Sequence, residues 1–178
     1  MAAGDGRWDT RWHAPVRAAA EELILTTVTA ATPPDAFVHL VVGYDGSAPG
    51  GRALDAAVRL LQGRTGRVDV VYVAQLSSVA MLSPNAIAEI ESDFNEIEQE
   101  LRTAAAEQLR GSGAAWEFER RQGIIADELI AAATALRDAH GGTVAIVVGS
   151  SSHATHRVIG SVAVSLARHS PVPLIIVP

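Results

Sequence analysis

Apolar runs and helix-like stripes alternate along most of this chain. Apolar runs at Val38–Val42, Val68–Ala74, Val144–Val148 and Leu174–Val177 predict four strands, and the densest of them are typical of strands buried on both faces of a sheet. Ala115–Glu119 instead alternates apolar and polar residues, which predicts a half-exposed strand at a sheet edge. The pattern therefore predicts five strands.

Helices are predicted between these strands. From Pro49 to Leu61 the apolar residues recur at helical spacing, Ser47 is a suitable N-cap, and proline suits a first helical turn. The same spacing predicts further helices over 85–110, Ala126–Ala139 and Ser161–His169. Strands separated by helices form parallel sheets with right-handed crossovers, so the predicted fold class is α/β.

Residues 1–36 differ from the rest and are predicted to form an N-terminal arm, which leaves 37–178 as one domain. The arm ends in a Pro-Pro pair, which cannot continue a helix and indicates a linker. Val16–Thr26 is long enough for a short helix. Two interpretations remain open, a mobile extension or an arm that docks through Trp8 and Trp12.

Composition narrows the classes of protein that fit. The chain has 178 residues, of which 48% are hydrophobic and only 4% aromatic, so a single core of Ala, Val, Leu and Ile is expected. The net charge of -6 argues against nucleic acid as the main partner. The chain has no cysteine, which excludes disulfides and thiolate metal sites. No apolar stretch is long enough to span a membrane or to form a secretory signal, and we expect a cytoplasmic protein without a membrane partner.

Two of the predicted strands end in glycine and small polar residues. The first closes on Gly43, Tyr44, Asp45, Gly46 and Ser47, and the fourth closes on Gly149 and Ser150, with Gly160, Ser161 and Val162 farther along. Ligands of open parallel sheets bind beyond the carboxyl ends of strands, where the winding reverses. Two such ends side by side predict a site for a phosphate or a nucleotide.

The residues of these segments and their order along the chain resemble those of the universal stress protein family over Ala36–Pro178. The two most specific parts are Val41–Ser47 and the tail that runs from Gly160 to Val177. The resemblance implies a five-stranded parallel sheet in the order 3-2-1-4-5 with helices on both faces, of the adenine-nucleotide alpha-hydrolase-like class. It also implies a homodimer formed through Leu174–Val177, an apolar edge that natural proteins cover.

One branch of this family binds ATP through the pattern Gly-x2-Gly-x9-Gly-Ser/Thr, which this chain matches only in part. Gly149 matches the first glycine and Gly160-Ser161 the closing pair, but Ser152 stands in place of the second glycine, and Gly160 follows Gly149 after eleven positions instead of thirteen. Because glycine readily adopts the positive φ that a phosphate-binding loop needs, we expect altered phosphate contacts and weak or absent ATP binding, with magnesium only alongside ATP.

Other groups remain for the phosphates of a bound nucleotide. The helix that begins at Ser161 and Val162 offers free N–H groups and a partial positive charge. The hydroxyls of Ser150 and Ser152 and the guanidinium of Arg157 are further candidates.

Two residues match family positions at the nucleoside end of ATP. Asp45 matches the residue that holds the nucleoside, and a carboxylate can accept hydrogen bonds from ribose hydroxyls; equally, Asp45-Gly46 can simply form the turn and help to cap the helix. Val73 matches a position that contacts adenine, although packing in the core would explain it as well.

The sequence contains no motif that indicates an enzymatic mechanism. It lacks a Gly-x-Ser-x-Gly elbow and a Walker A motif, and the spacing of His153 and His156 does not complete a metal site. We therefore expect no catalytic and no metal-binding residues.

The leading hypothesis is a homodimeric binding or regulatory module of the stress response. The alternatives are an ATP-sensing switch with slow hydrolysis and a carrier of a small ligand in the same cleft.

Overall fold

A computed structural model of the chain describes residues 37–75, 84–150 and 160–178, with the backbone alone over 84–89. The predictions made for the arm, including the Val16–Thr26 helix and the two tryptophans, lie outside the described residues. The same holds for Ser152, His153, His156 and Arg157.

Five parallel strands form one sheet in the order β3-β2-β1-β4-β5, which confirms the predicted topology. The strands are β1 (Val38–Gly43), β2 (Gly66–Ala74), β3 (Ala115–Gln122), β4 (Thr143–Gly149) and β5 (Leu174–Val177). All four pairings between neighbouring strands are parallel.

The helices confirm the predicted positions within one or two residues. They are α1 (Ala48–Leu61), α2 (Pro84–Leu109), α3 (Ile125–His140) and α4 (Ser161–His169). Ser47 is the N-cap of α1, as its position before an apolar stripe predicted, and a proline lies in the first turn.

β3 is three residues longer than its apolar alternation indicated. The added residues include Arg120 and Arg121, whose charges are matched by acidic side chains of neighbouring helices. Arg120 Nε lies 3.4 Å from an oxygen of Glu98 on α2, and Arg121 Nε lies 2.9 Å from an oxygen of Glu128 on α3. Because these partners come from elsewhere in the chain, the strand continues where its local sequence turns polar.

Two hydrophobic cores lie on the two faces of the sheet. α1 and α2 cover one face, where Leu54 and Phe118 are buried. α3 and α4 cover the other, where Leu129, Ile146 and Leu166 are buried. The helices therefore lie on both faces, as predicted.

The winding reverses between β1 and β4, which are neighbours in the sheet. The helix that follows β1 packs on one face and the helix that follows β4 packs on the other. The two connections therefore diverge at the carboxyl ends of these strands, and a crevice is expected between them.

Candidate functional site

A cleft of about 200 Å³ opens at this reversal of winding. It is bounded by the ends of β1, β2 and β4 and by the first turns of α1, α3 and α4. The described residues that line it are Gly43, Tyr44, Asp45, Ser47, Pro49, Gly50, Val71, Tyr72, Val73, Ile125, Leu129, Val148, Gly149, Gly160, Ser161, Val162 and Ala163.

A tight turn places the carboxylate of Asp45 at the rim of the cleft. Asp45 Oδ1 accepts hydrogen bonds from the backbone N–H of Ser47, at 3.0 Å, and from the hydroxyl of Ser47. Gly46, between them, has φ +75°, a conformation that glycine adopts at little cost. The structure thus confirms the turn that Asp45-Gly46 predicted, and it leaves Asp45 Oδ2 without a hydrogen bond from any described residue.

The first turn of α1 packs directly against the end of β4. The Ser47 hydroxyl accepts a hydrogen bond from the N–H of Gly50 at 3.3 Å, which caps the helix. A Cβ atom on Gly149 would overlap the carbonyl group of Pro49 and lie 2.7 Å from its Cβ. Glycine at position 149 is therefore what allows α1 to begin beside β4.

A second helix begins on the opposite side of the cleft. Gly160 is the N-cap of α4 and makes no side-chain capping bond, and its carbonyl accepts the N–H of Val164. The preceding N–H groups, those of Ser161, Val162 and Ala163, precede the first intrahelical bond and belong to residues that line the cleft. The partial positive charges of two helix N-termini, α1 and α4, thus border one cleft.

Apolar side chains form the remaining wall. Val73 and Ile125 are half-buried there, and Leu129 is fully buried behind them. Tyr44 is buried at the edge of this wall; burial raises the pKa of its phenol, and the neighbouring charge of Asp45 raises it further. Tyr44 therefore stays neutral near pH 7 and adds no negative charge to the cleft.

The cleft brings together most of the residues predicted from the sequence. Those that line it are Asp45, Ser47, Val73, Gly149, Gly160, Ser161 and Val162. Gly46 shapes the turn but is not among the lining residues. Ser150 does not line the described cleft either, and its backbone N–H donates to the carbonyl of Val177 at 2.7 Å, so this N–H is not available to a phosphate. Ser152 and Arg157 remain predictions outside the described residues.

Sequence reasoning missed part of the lining. Tyr72 lies next to Val73 on β2, and Pro49 and Gly50 lie in the first turn of α1; a search of the residues around each predicted strand end would have found them. Ile125 and Leu129 carry no such signal, since their spacing on α3 is that of ordinary core residues.

Other classes of site receive no support from the described parts of the chain. No group of three or more His, Cys, Asp or Glu side chains is placed there to hold a metal ion. Among the described helices, none combines the length and the apolarity that crossing a membrane requires.

Comparison of the sequence with known families identifies the chain. The sequence profile of the Universal stress protein family matches residues 36–178. The chain belongs to the universal stress protein family. A search of curated proteins found no match to this universal stress protein.

Solved structures share the fold of this universal stress protein at low sequence identity. A universal stress protein from Lactobacillus plantarum is 19% identical with a TM-score of 0.62, and the match covers 79% of this chain and 97% of that one. A universal stress protein in complex with cAMP is 24% identical with a TM-score of 0.55, covering 81% and 99%. One from Arabidopsis thaliana with AMP bound is 12% identical with a TM-score of 0.50, covering 79% and 90%. The predicted five-stranded parallel α/β fold is thus confirmed.

Proposed function

We propose that this universal stress protein is a homodimeric regulatory module that binds an adenine nucleotide in the cleft and does not act as an enzyme. The observation that carries the proposal is one cleft with an apolar wall on one side, a carboxylate at its rim, and two helix N-termini at its border. These are the three environments that a base, a ribose and a phosphate need.

The nucleoside half fits the side of the cleft formed by β1, β2 and α3. A flat base can pack against Val73 and Ile125, which are only half-buried in the described structure. Asp45 Oδ2 can accept a hydrogen bond from a ribose hydroxyl while Oδ1 keeps its bonds to Ser47. Such a bond to a charged acceptor is about twice as strong as a neutral one. The two roles considered for Asp45, turn and ligand contact, are therefore compatible.

The phosphate half has few cations available to it. The chain has no lysine, so charge compensation comes from helix N-termini and arginines. The free N–H groups at the start of α4 suit a single phosphate group. A triphosphate carries more negative charge than the described residues on this side of the cleft can balance, which supports the expectation of weak or absent ATP binding. The nucleotides in the related structures, cAMP and AMP, each carry one phosphate.

Titration calorimetry with AMP and with ATP, each with magnesium, tests the proposal. We expect AMP to bind and ATP to bind more weakly or not at all. Asp45→Asn keeps the turn, since asparagine forms the same kind of turn, but removes the charged acceptor, and we expect AMP affinity to fall about tenfold, or about 1.4 kcal/mol. Asp93→Asn, which changes an exposed carboxylate of α2, is the matched control and should bind as the wild type does.

The other outcomes of this titration favour the alternative functions. Tighter binding of ATP than of AMP, lost in Asp45→Asn, would support a nucleotide-sensing switch, and slow release of inorganic phosphate would then be measured. Absence of binding by both nucleotides would contradict the proposal and leave a carrier of another small ligand as the function to test.

The homodimer is proposed to form through the outer edge of β5. The carbonyl of Pro173 accepts the N–H of Ile146 in β4, and the carbonyl of Val177 accepts the N–H of Ser150, just after β4. Because successive residues of a strand point their backbone groups to opposite sides, the N–H and C=O of Leu174 and Ile176 point away from β4. No described strand pairs with that side, and a second copy of the chain can supply the missing partner.

We expect Ile176→Pro to convert the dimer into a monomer. Proline removes the outward N–H at position 176, whereas the bonds between β4 and β5 use the neighbouring residues, so the fold should persist. Light scattering after size-exclusion chromatography measures the mass, and far-ultraviolet circular dichroism checks the fold. A dimeric Ile176→Pro variant would exclude strand pairing at this edge.

A further inference from the structure

The edge strand β5 is short and has no fully buried residue. All four of its residues, Leu174–Val177, are half-buried, whereas β1 and β4 each contain five consecutive buried residues. Elements that bury little surface open locally at a lower free energy than the centre of a sheet does. The groups that hold β5 in place therefore matter to whatever is attached to it.

Two hydrogen bonds attach the end of β5 to the borders of the cleft. The N–H of Ser150, which follows Gly149 at the end of β4, donates to the carbonyl of Val177 at 2.7 Å. Nε of Arg52, on α1, donates to the main-chain oxygen of Pro178, also at 2.7 Å. The first bond continues the ladder between β4 and β5. The second is the only hydrogen bond between described residues that joins α1 to β5.

The bond of Arg52 acts on the part of α1 that borders the cleft. Arg52 lies three residues after Pro49 and two after Gly50, and both of these residues line the cleft. At 3.6 residues per turn, Arg52 is about one turn from Pro49. The backbone of Pro49 lies so close to Gly149 that an added Cβ would overlap it. A shift of α1 on the sheet would therefore change the shape of the cleft.

The outer side of β5 is the edge at which a second copy of the chain is proposed to pair. The inference therefore rests on the proposed function, both for its nucleotide and for its homodimer. The outward backbone groups that a second copy can use belong to Leu174 and Ile176, whereas the bonds to the cleft borders use Val177 and Pro178. Both sets of bonds can form at the same time.

We propose that the cleft and the dimer edge are energetically coupled through β5 and Arg52, so that a bound nucleotide tightens the dimer. The end of β5 has two states, one bonded to Arg52 and one released. Pairing with a second copy favours the bonded state because it holds the strand from its outer side. The nucleotide favours the same state, because that state fixes the first turn of α1 beside the ligand.

The coupling must be the same in both directions, which gives it a measurable size. A ligand that binds the monomer has to order the end of β5, whereas in the dimer this end is already ordered. Each dimer contains two clefts. If each cleft binds AMP about threefold more tightly in the dimer than in the monomer, saturating AMP lowers the dissociation constant of the dimer about ninefold.

Sedimentation velocity on the full chain tests this proposal. The dissociation constant of the dimer is measured without ligand, with saturating AMP, and with sodium chloride at the matched ionic strength. We expect AMP to lower the constant about ninefold and the salt to change it less than about twofold. Titration calorimetry on the monomeric Ile176→Pro variant should show AMP affinity about threefold below that of the wild-type dimer.

Two arginine variants test the route of the coupling. Arg52→Met removes the bond to Pro178 and keeps an unbranched side chain that favours a helix. This variant should dimerise and bind AMP, but AMP should change its dimer dissociation constant less than about twofold. Arg59→Met is the matched control, since Arg59 is an exposed arginine in the last turn of the same helix. It should respond to AMP as the wild type does.

Each way in which the proposal can fail has its own result. If the chain dimerises and binds AMP, yet AMP leaves the dimer dissociation constant unchanged, the coupling is wrong and the proposed function stands. If Arg52→Met responds to AMP as strongly as the wild type does, the coupling does not pass through Arg52 and the proposal is overturned. A wild-type chain that stays monomeric, or that does not bind AMP, overturns the proposed function and this inference with it.

Discussion

Gly149→Ala is expected to lower the free energy of unfolding by about 3 kcal/mol, the upper range for overpacking a well-packed site. The added Cβ would overlap the backbone of Pro49. Backbone at the start of a helix cannot rotate aside as the end of a flexible side chain can, so α1 must move away from β4. Chemical denaturation followed by circular dichroism measures the loss as a shift in the midpoint at constant slope.

The same variant should also weaken nucleotide binding, because the first turn of α1 is one border of the cleft. We expect AMP affinity to fall at least tenfold, or about 1.4 kcal/mol. A variant that loses stability yet binds AMP with wild-type affinity would show that the position of α1 does not matter to the ligand.

Gly51→Ala is the control for glycine replacement in this region. Gly51 lies two residues after Pro49 in α1, and a Cβ there would meet its nearest neighbour, the side chain of Gln108, at 3.5 Å. Alanine is a better helix former than glycine by up to about 1 kcal/mol. Gly51→Ala should therefore be neutral or stabilising, and an equal loss in both variants would contradict the packing argument.

Local sequence was sufficient to predict most elements of the fold because their ends carry strong signals. The bounds of α4 and β5 were predicted to the residue, since Ser170-Pro171 and Pro173 end one element and precede the next. The end of β3 was not, because Arg120 and Arg121 continue the strand only through acidic partners on α2 and α3.

The sequence predicted only those residues of the candidate site that lie near the ends of strands. Gly149 directly follows an apolar run and Asp45 follows another after two residues, so the topology of a parallel sheet places them at one edge. Ile125 enters the cleft because α3 packs across the sheet, and its sequence spacing is the same as that of a core residue. Positions contributed by tertiary packing of this kind have no local signature.

A polar cluster of His39, Arg67, Asp69 and Glu117 near the amino ends of β1, β2 and β3 was not predicted, for a related reason. His39 lies inside an apolar run, and its partner Asp69 lies thirty positions later in another. Only the register of β1 against β2, which pairs His39 with Arg67, brings the charges together. A polar residue inside a predicted buried strand is a reason to look for such a partner.

Asp69→Ala is expected to lower the free energy of unfolding by about 3 kcal/mol, because it leaves Arg67 and His39 without their shared acceptor in a mostly buried setting. Denaturation with urea at pH 7.5 measures the effect. Glu117→Ala is the matched control, since its side chain is 64% exposed although it also pairs with Arg67. Its loss should stay below about 1 kcal/mol, and an equal loss in the two variants would contradict the role of burial.

The double variant Arg67→Met/Asp69→Leu separates the attraction between the two charges from the cost of leaving Arg67 with only its exposed partner, Glu117. If most of the loss in Asp69→Ala comes from that cost, removing both charges should restore much of the stability, as buried ion pairs replaced by apolar side chains often do. If the double variant is as unstable as Asp69→Ala, the ion pair itself stabilises the fold. Restored stability would mean that the attraction between these charges contributes little to the stability of the fold.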